Sequence, residues 1–431
     1  MIAKLRKHYH APLLFLLLAF GFLCTLPDEL HGWNSGWYAM DYSLGLDSRL
    51  FIGSLLRLFY PDFLSASSVY AFVVLSVLVL LAFLSYTLGY GLKRVEGTEG
   101  FTGLVALTAL YLLSPGSPAY LWSTENMGRF DLYLLLVTLA AGIACFYLRS
   151  VPVCLIVLTV CGVIALSIHQ GYLFTFFPLL FTLFLLTAGH TEDGEGSPRQ
   201  LRLYLVVSFL CMGLLAAVFF YFQFLSHIRA DTCEELTAAL SVRTDLALNE
   251  SAFRYEYFSG MTESVQELVL NQPGERIRYG IVTLLLLSPL AVLYGWFWKQ
   301  VLKAAPGPGM GKHFGSVERK NGCLPSFFYP CILLSQLLFL PAFVLTIDWG
   351  RWFGAFLTVQ TLQIVFLAAK KDAVALSALA SLSAAVHRHP LLFLCAAVWL
   401  GNLRKFQATL LPDAPVFFAS LYKLFRIFVP E

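Results

Sequence analysis

Charge is scarce in this chain. Only 13% of its 431 residues are Asp, Glu, Lys or Arg, against roughly 25% in soluble domains, while 58% are hydrophobic. With a mean hydropathy of +0.73 there is too little polar surface to coat a water-exposed body, so the apolar residues must face lipid and one another. This excludes a string of soluble domains and argues against a nucleic-acid partner. The nine cysteines contain no C-x-x-C pair and no Cys/His ligand spacing, which argues against structural zinc and a disulfide framework. Eight of them lie in or beside apolar runs; Cys233, in a long polar loop, has no evident partner. Gly307-Pro308-Gly309-Met310-Gly311-Lys312 lacks the spacing of a phosphate-binding loop, and no internal repeat is visible.

What the chain does have is long apolar runs. A bilayer core of about 30 Å needs about 20 apolar residues per helix. The sequence predicts an all-α integral membrane protein, one polytopic domain over 1–431, with about eleven spans near 11–26, 66–91, 101–116, 131–148, 151–168, 171–188, 203–226, 279–298, 326–347, 352–369 and 389–403. The first follows a basic flank but has no small-residue cleavage site, so it reads as a retained signal anchor. With the N-terminus in the cytoplasm, nine of the eleven lysines fall inside, and outer segments before residue 400 carry nine arginines and no lysine. Lys405 and Lys423 fit this poorly, which raises an additional crossing through Ala373–Val386. No Asp, Glu, Lys or Arg interrupts the interior of any predicted span, and that disfavours an ion-coupled transporter.

Charged groups gather instead at the outer ends. Two outer excursions are expected, 27–65 and 226–278, the second with short helices at Glu234–Leu248 and Glu263–Leu270. The first contains Asp28, Glu29, His31, Asp41, Asp47 and Arg49. It is followed by an amphipathic stretch, Arg49–Tyr60, suited to lying in the membrane interface, with Asp47 placed to cap its start. Glu125-Asn126-Met127-Gly128-Arg129-Phe130-Asp131 opens the fourth span. Ser167-Ile168-His169-Gln170-Gly171 makes a tight outer turn, and Asp348-Trp349-Gly350-Arg351-Trp352 joins two spans with almost no slack. Each has a structural alternative: helix-terminal charge, a buried turn histidine, an ion pair among Trp anchors. Asn249-Glu250-Ser251 matches the short glycosylation acceptor pattern, a weak signal.

Arginine forks bind phosphate oxygens, and a carboxylate can accept a hydroxyl proton. Arg49, Arg129 and Arg351 are therefore candidates to hold a lipid-linked phosphate or diphosphate, with Asp47, Glu125, Asp131 and Asp348 as further substrate-binding groups. Asp41 would deprotonate an acceptor hydroxyl, and His169 would assist. Asp41, Asp47 and Glu29 also raise a divalent cation, although the neighbouring arginines make a metal-free site equally reasonable. The many helices, the cytoplasmic N-terminus and an acidic first outer loop followed by an interfacial helix resemble the GT-C class of membrane glycosyltransferases. The resemblance implies a polyprenyl-linked sugar donor, a glycan acceptor and a catalytic carboxylate in the first loop, best matched by Asp41, with Asp28-Glu29 competing. The implied setting is the outer face of a bacterial cytoplasmic membrane. The arginine-rich outer sites are also similar to those of polysaccharide polymerases and O-antigen ligases. A non-enzymatic flippase of lipid-linked glycans is the alternative from another class.

Overall fold

The computed structural model describes residues 9–189, 198–258, 273–305, 324–345, 348–403 and 405–406. The chain is all-helical, and among the described residues the only β-type pairing is two isolated bridges, Gly45 to Ile228 and Leu64 to Thr244. A helix satisfies its backbone hydrogen bonds within one segment, which is what an apolar run in lipid requires. Among the described residues five helices are long and apolar enough to cross a membrane: Ala66–Val95, Phe101–Trp122, Val151–Ile168, Arg199–Leu225 and Trp349–Ala369. Two bent pairs bring the number to seven, Ile277–Leu286 with Ser288–Ala304 at 76° and Ala373–Arg388 with Pro390–Gly401 at 96°. Shorter apolar helices cover His10–Cys24, Asp131–Tyr147, Phe177–Gly189 and Phe328–Val344.

Both bends have a proline in the first turn of their second helix, Pro289 and Pro390. Proline has no N–H to give and fits only where the preceding helix has ended. The predicted single span 279–298 is corrected accordingly to two helices meeting at Leu287. The run Ala373–Val386 does form a helix, Ala373–Arg388. The proposed helix Glu263–Leu270 and Lys423 lie outside the described residues.

The chain divides into two compact units, Met1–Thr87 with Thr124–Asn271, and Leu88–Ser123 with Gln272–Glu431. In the first, Val151–Ile168 packs against Asp131–Tyr147, Phe177–Gly189 and Pro198–Phe220. In the second, Ala373–Arg388 packs against Phe101–Leu113 and Ser288–Ala304. Close approach there depends on Gly103, because a Cβ at that position would stand 2.4 Å from the Leu379 carbonyl oxygen.

The second unit buries a row of polar side chains along Trp349–Ala369. Thr358 shares a hydrogen bond with Tyr111 (2.8 Å), and Thr361 shares one with Tyr294 (2.6 Å). Gln360 accepts from Trp298 Nε1 (2.7 Å), and Gln363 accepts from Gln336 Nε2 (2.7 Å). Each pair gives buried polar groups a partner on a neighbouring helix, so the row joins helices, with Gln336 Oε1 the one atom of these pairs left without a partner among the described residues.

Asp372 performs the same task at a helix start. It is fully buried and caps Ala373–Arg388 by accepting from the Ala375 N–H (2.8 Å), while its other oxygen accepts from the Tyr329 hydroxyl (2.8 Å) and the Leu324 N–H (3.1 Å). Asp372→Ala would strand three donors and is expected to cost about 2–4 kcal/mol. Chemical unfolding of the purified protein checks this; a change below about 0.5 kcal/mol would mean that the three donors find other acceptors.

Candidate functional site

The loop over residues 27–65, expected on the outer side, is built from short pieces. A helical turn, Gly32–Ser35, runs into a 3-10 turn, Gly36–Ala39, and Asp41 then caps a second 3-10 turn, Tyr42–Leu44. Gly45 follows at φ +138°, a conformation glycine adopts without strain, and here the backbone pairs with Ile228. The Arg229 N–H donates to the Leu44 carbonyl (2.7 Å), the Leu64 N–H to the Arg243 carbonyl (2.8 Å) and the Thr244 hydroxyl to the Leu64 carbonyl (2.6 Å). The 27–65 loop and the segment after residue 226 are thus joined through backbone groups.

The helix in this loop spans Phe51–Arg57 and buries Ile52, Gly53 and Leu56, leaving Leu58 and Phe59 about three-quarters exposed, at 77% and 73%. Its start is Leu50, with no side-chain cap. The expectation that Asp47 caps it is therefore corrected. Arg49 adopts a left-handed φ of +68° and its N–H bonds to the Ser167 and Ile168 carbonyls, so the chain turns between Asp47 and the helix. Asp47 accepts from the Ser48 N–H and the Ser226 hydroxyl (2.9 Å) instead.

Two charge clusters form on this scaffold, both within the first unit. In one, the buried Asp41 carboxylate lies between two arginines. Arg57 Nη1 reaches both of its oxygens at 2.9 Å, Arg243 Nη2 bonds one of them, and the Ser43 N–H donates at 2.7 Å. Burial pushes the Asp41 carboxyl up, but hydrogen bonds from Ser43 and Arg243 outweigh it and hold the group below the ordinary carboxylate range. Arg57 and Arg243 also line a shallow recess with Tyr38, Gly53, Tyr60 and Leu64, and the exposed Asp62 sits at its rim. The clamp itself carries one positive charge in excess, and each guanidinium has further N–H donors beyond those bound to Asp41.

A carboxylate held this way accepts a proton poorly and acts in the fold as an anchor. Asp41→Asn is expected to destabilise by about 1–2 kcal/mol, a figure moderated because both arginines are partly solvated. The lowered value means this stabilisation is present above the ordinary carboxylate pKa of about 4 and is lost as pH falls through the folded-state value. Unfolding curves for wild type and variant should therefore converge in acid, and parallel curves down to pH 3 would contradict the anchor role.

The second cluster has the opposite balance. Arg49 Nη2 pairs with Glu256 Oε2 at 2.7 Å and its guanidinium stacks 4.8 Å above the Trp37 ring. Gln170 donates to Glu256 (2.9 Å) and accepts from Ser48. Asp47 and Tyr257 both lie within electrostatic reach of Arg49 and Glu256. Burial is the main cause that pushes the Asp47 carboxyl up; the Ser226 and Ser48 donors oppose it, Glu256 adds to it, and Arg49 partly offsets it. Ionised, the Asp47, Glu256 and Arg49 set sums to minus one.

The remaining candidates fall in several places. His169 stands at the head of the turn Gln170–Phe174, where its Nδ1 accepts from the Gly171 N–H (2.9 Å), leaving Nε2 to carry the ring proton. The 125–131 segment meets the first loop through its backbone, with Asn34 Nδ2 donating to the Glu125 and Met127 carbonyls (both 3.0 Å) and Tyr38 to Gly128 (2.8 Å). Glu125 and Arg129 are half-buried there, and Asp131 is buried in the first turn of Asp131–Tyr147. Asp348 and Arg351 belong to the second unit, where they pair at 2.8 Å with the guanidinium over Trp352. No group of three or more His, Cys, Asp or Glu side chains is placed to hold a metal ion among the described residues.

Arg57, Arg243, Glu256, Ser226 and Tyr257 take part in the two clusters without standing out in the sequence. Cys233 is buried and donates to the Glu250 carbonyl, while Asn249 is occupied as the cap of the short helix Glu250–Phe253. The predicted helix Glu234–Leu248 is observed as Cys233–Ser241, capped by Thr232. No family model, curated protein or solved structure matches this chain.

Proposed function

We propose that this chain is an integral-membrane glycosyltransferase of GT-C-like architecture. It moves a sugar from a polyprenyl-phosphate-linked donor to a surface glycan or lipid acceptor on the outer face of the membrane. In this reading the five long helices, the two bent pairs and the four shorter apolar helices each make one crossing, the N-terminus is cytoplasmic, and Phe51–Arg57 with Leu58 and Phe59 lies in the interface. The observation that carries the reading is the pair of clusters of opposite sign on one short loop: Arg57 and Arg243 around Asp41, and Asp47 with Glu256 around Arg49. A positive clamp suits the phosphate of a lipid donor, and a buried carboxylate with a raised pKa suits an acceptor hydroxyl.

In the transfer step the acceptor oxygen bonds to the anomeric carbon, and the carbon–oxygen bond to phosphate breaks with its electron pair staying on the phosphate. The hydroxyl proton passes to a carboxylate. Asp47 suits that role better than Asp41, whose oxygens are both engaged by arginine. Within the first unit Arg57 and Arg243 are the proposed phosphate ligands, with Arg129 as a further candidate, while Arg49 is assigned to the acceptor side with Asp47.

Mass spectrometry of lipid-linked glycans after deletion of the gene tests the proposal. Accumulation of a polyprenyl-phosphate monosaccharide is expected, and an unchanged lipid-linked pool would sink it. Two guanidiniums on one clamp also suit a diphosphate, so the second reading is a polymerase or ligase. That reading predicts a polyprenyl-diphosphate oligosaccharide instead. Accumulation confined to the inner leaflet would identify a flippase.

A further inference from the structure

Two buried donors in the Asp47 cluster lack acceptors among the described residues: the Tyr257 hydroxyl and Arg49 Nε. Both side chains border the same indole, Arg49 at 4.8 Å and Tyr257 edge-on at 6.1 Å from the Trp37 ring. Leaving a phenol and a guanidinium N–H in a desolvated place without partners works against folding, and such groups commonly mark the seat of a ligand. We propose that Tyr257 and Arg49 Nε, together with the Asp47 carboxylate, form a subsite for one hydroxyl of a neutral pyranoside. The inference rests on the glycosyl-transfer reading above and assigns the acceptor's place within it.

The chemistry selects the ligand class. A hydroxyl donates one hydrogen bond and accepts two, so a single oxygen can give its proton to Asp47 while receiving from Tyr257 and Arg49 Nε. A phosphate can only accept, and it would meet the unfavourable charge of Asp47 and Glu256 with one arginine to offset two carboxylates. Burial pushes the Tyr257 phenol up, Asp47 and Glu256 adding to it and Arg49 partly offsetting it, which keeps it a donor. The Arg49–Glu256 pair remains partly accessible, with both side chains about 15% exposed (15% and 16%), and offers the way in.

The full chain in lipid nanodiscs, titrated with a panel of methyl pyranosides and followed by saturation-transfer NMR, tests this without a donor or turnover. Tyr257→Phe removes only the hydroxyl. It is expected to weaken binding of the preferred pyranoside about three- to tenfold while leaving the unfolding midpoint unchanged or higher, because an unsatisfied buried group disappears. Equal affinity in wild type and Tyr257→Phe would overturn the subsite. So would binding of inorganic phosphate that depends on Tyr257, or failure of every pyranoside to bind. A lowered midpoint together with unchanged affinity would assign Tyr257 to the fold alone and overturn it too. Should Tyr257-dependent binding be found while gene deletion leaves lipid-linked glycans untouched, the transferase reading falls and the hydroxyl subsite stands.

Discussion

Alanine at Gly53 is expected to unmake the loop over residues 27–65. A Cβ there would lie 1.9 Å from the Met40 carbonyl oxygen and 2.8 Å from both the Met40 carbonyl carbon and the Tyr38 carbonyl oxygen. All three are backbone atoms, so no rotamer change relieves the overlap. The helix Phe51–Arg57 would have to lift from the segment that carries Tyr38, Met40 and Asp41, taking Arg57 away from its carboxylate. Overpacking against fixed backbone is expected to cost more than about 3 kcal/mol. The checks are an unfolding midpoint and limited proteolysis of residues 36–60, with the exposed Leu58→Ala as a control expected to shift stability by less than about 0.5 kcal/mol. A Gly53→Ala protein as stable as wild type would show that the close approach is not required.

Asp47→Asn should separate activity from stability. Its folded-state pKa is raised, so its favourable contribution to folding is present below the ordinary carboxylate value of about 4 and is lost as pH rises through the folded value. At neutral pH the ionised group opposes folding. Asparagine keeps an oxygen for the Ser226 hydroxyl and the Ser48 N–H while removing that charge, so the variant should unfold at the same midpoint or higher. If Asp47 takes the acceptor proton, transfer should fall at least about a hundredfold, and the acid limb of the wild-type pH profile should report a group titrating above the usual carboxylate range. An active Asp47→Asn enzyme, alongside an inactive but folded Asp41→Asn, would return the base to Asp41.

Much of the helical framework can be read directly from the residues. Val151–Ile168 carries apolar side chains on every face between Ser150 and His169, and lipid-length hydropathy locates it to the residue. The bend at Leu287 was harder, because Ile281–Leu287 and Leu290–Val292 read as one apolar run unless Pro289 is given the weight its missing N–H deserves. The site divides along similar lines. Asp41, Asp47 and Arg49 stood out as charges in an otherwise apolar chain, and the Ser167–Gln170 turn stood out as short. Their partners did not: Arg243 meets Asp41 across 202 positions and Gln170 meets Glu256 across 86, distances over which no periodicity or spacing carries information. Asp47 misled for a local reason. An aspartate ahead of an amphipathic stretch ordinarily caps it, and only the left-handed Arg49 reveals that the chain turns first.

The backbone bonds that join Leu44 to Arg229 and Leu64 to Arg243 and Thr244 set an order on biogenesis. Residues 27–65 leave the ribosome early, but their final hydrogen-bonding partners are translated only after six more apolar helices have been made and handed to the bilayer. Until then Asp41 has no Arg243 and Asp47 has no Ser226, so a nascent chain halted before residue 226 carries both charge clusters incomplete. Folding of this loop thereby doubles as a checkpoint on how much of the polypeptide has been delivered.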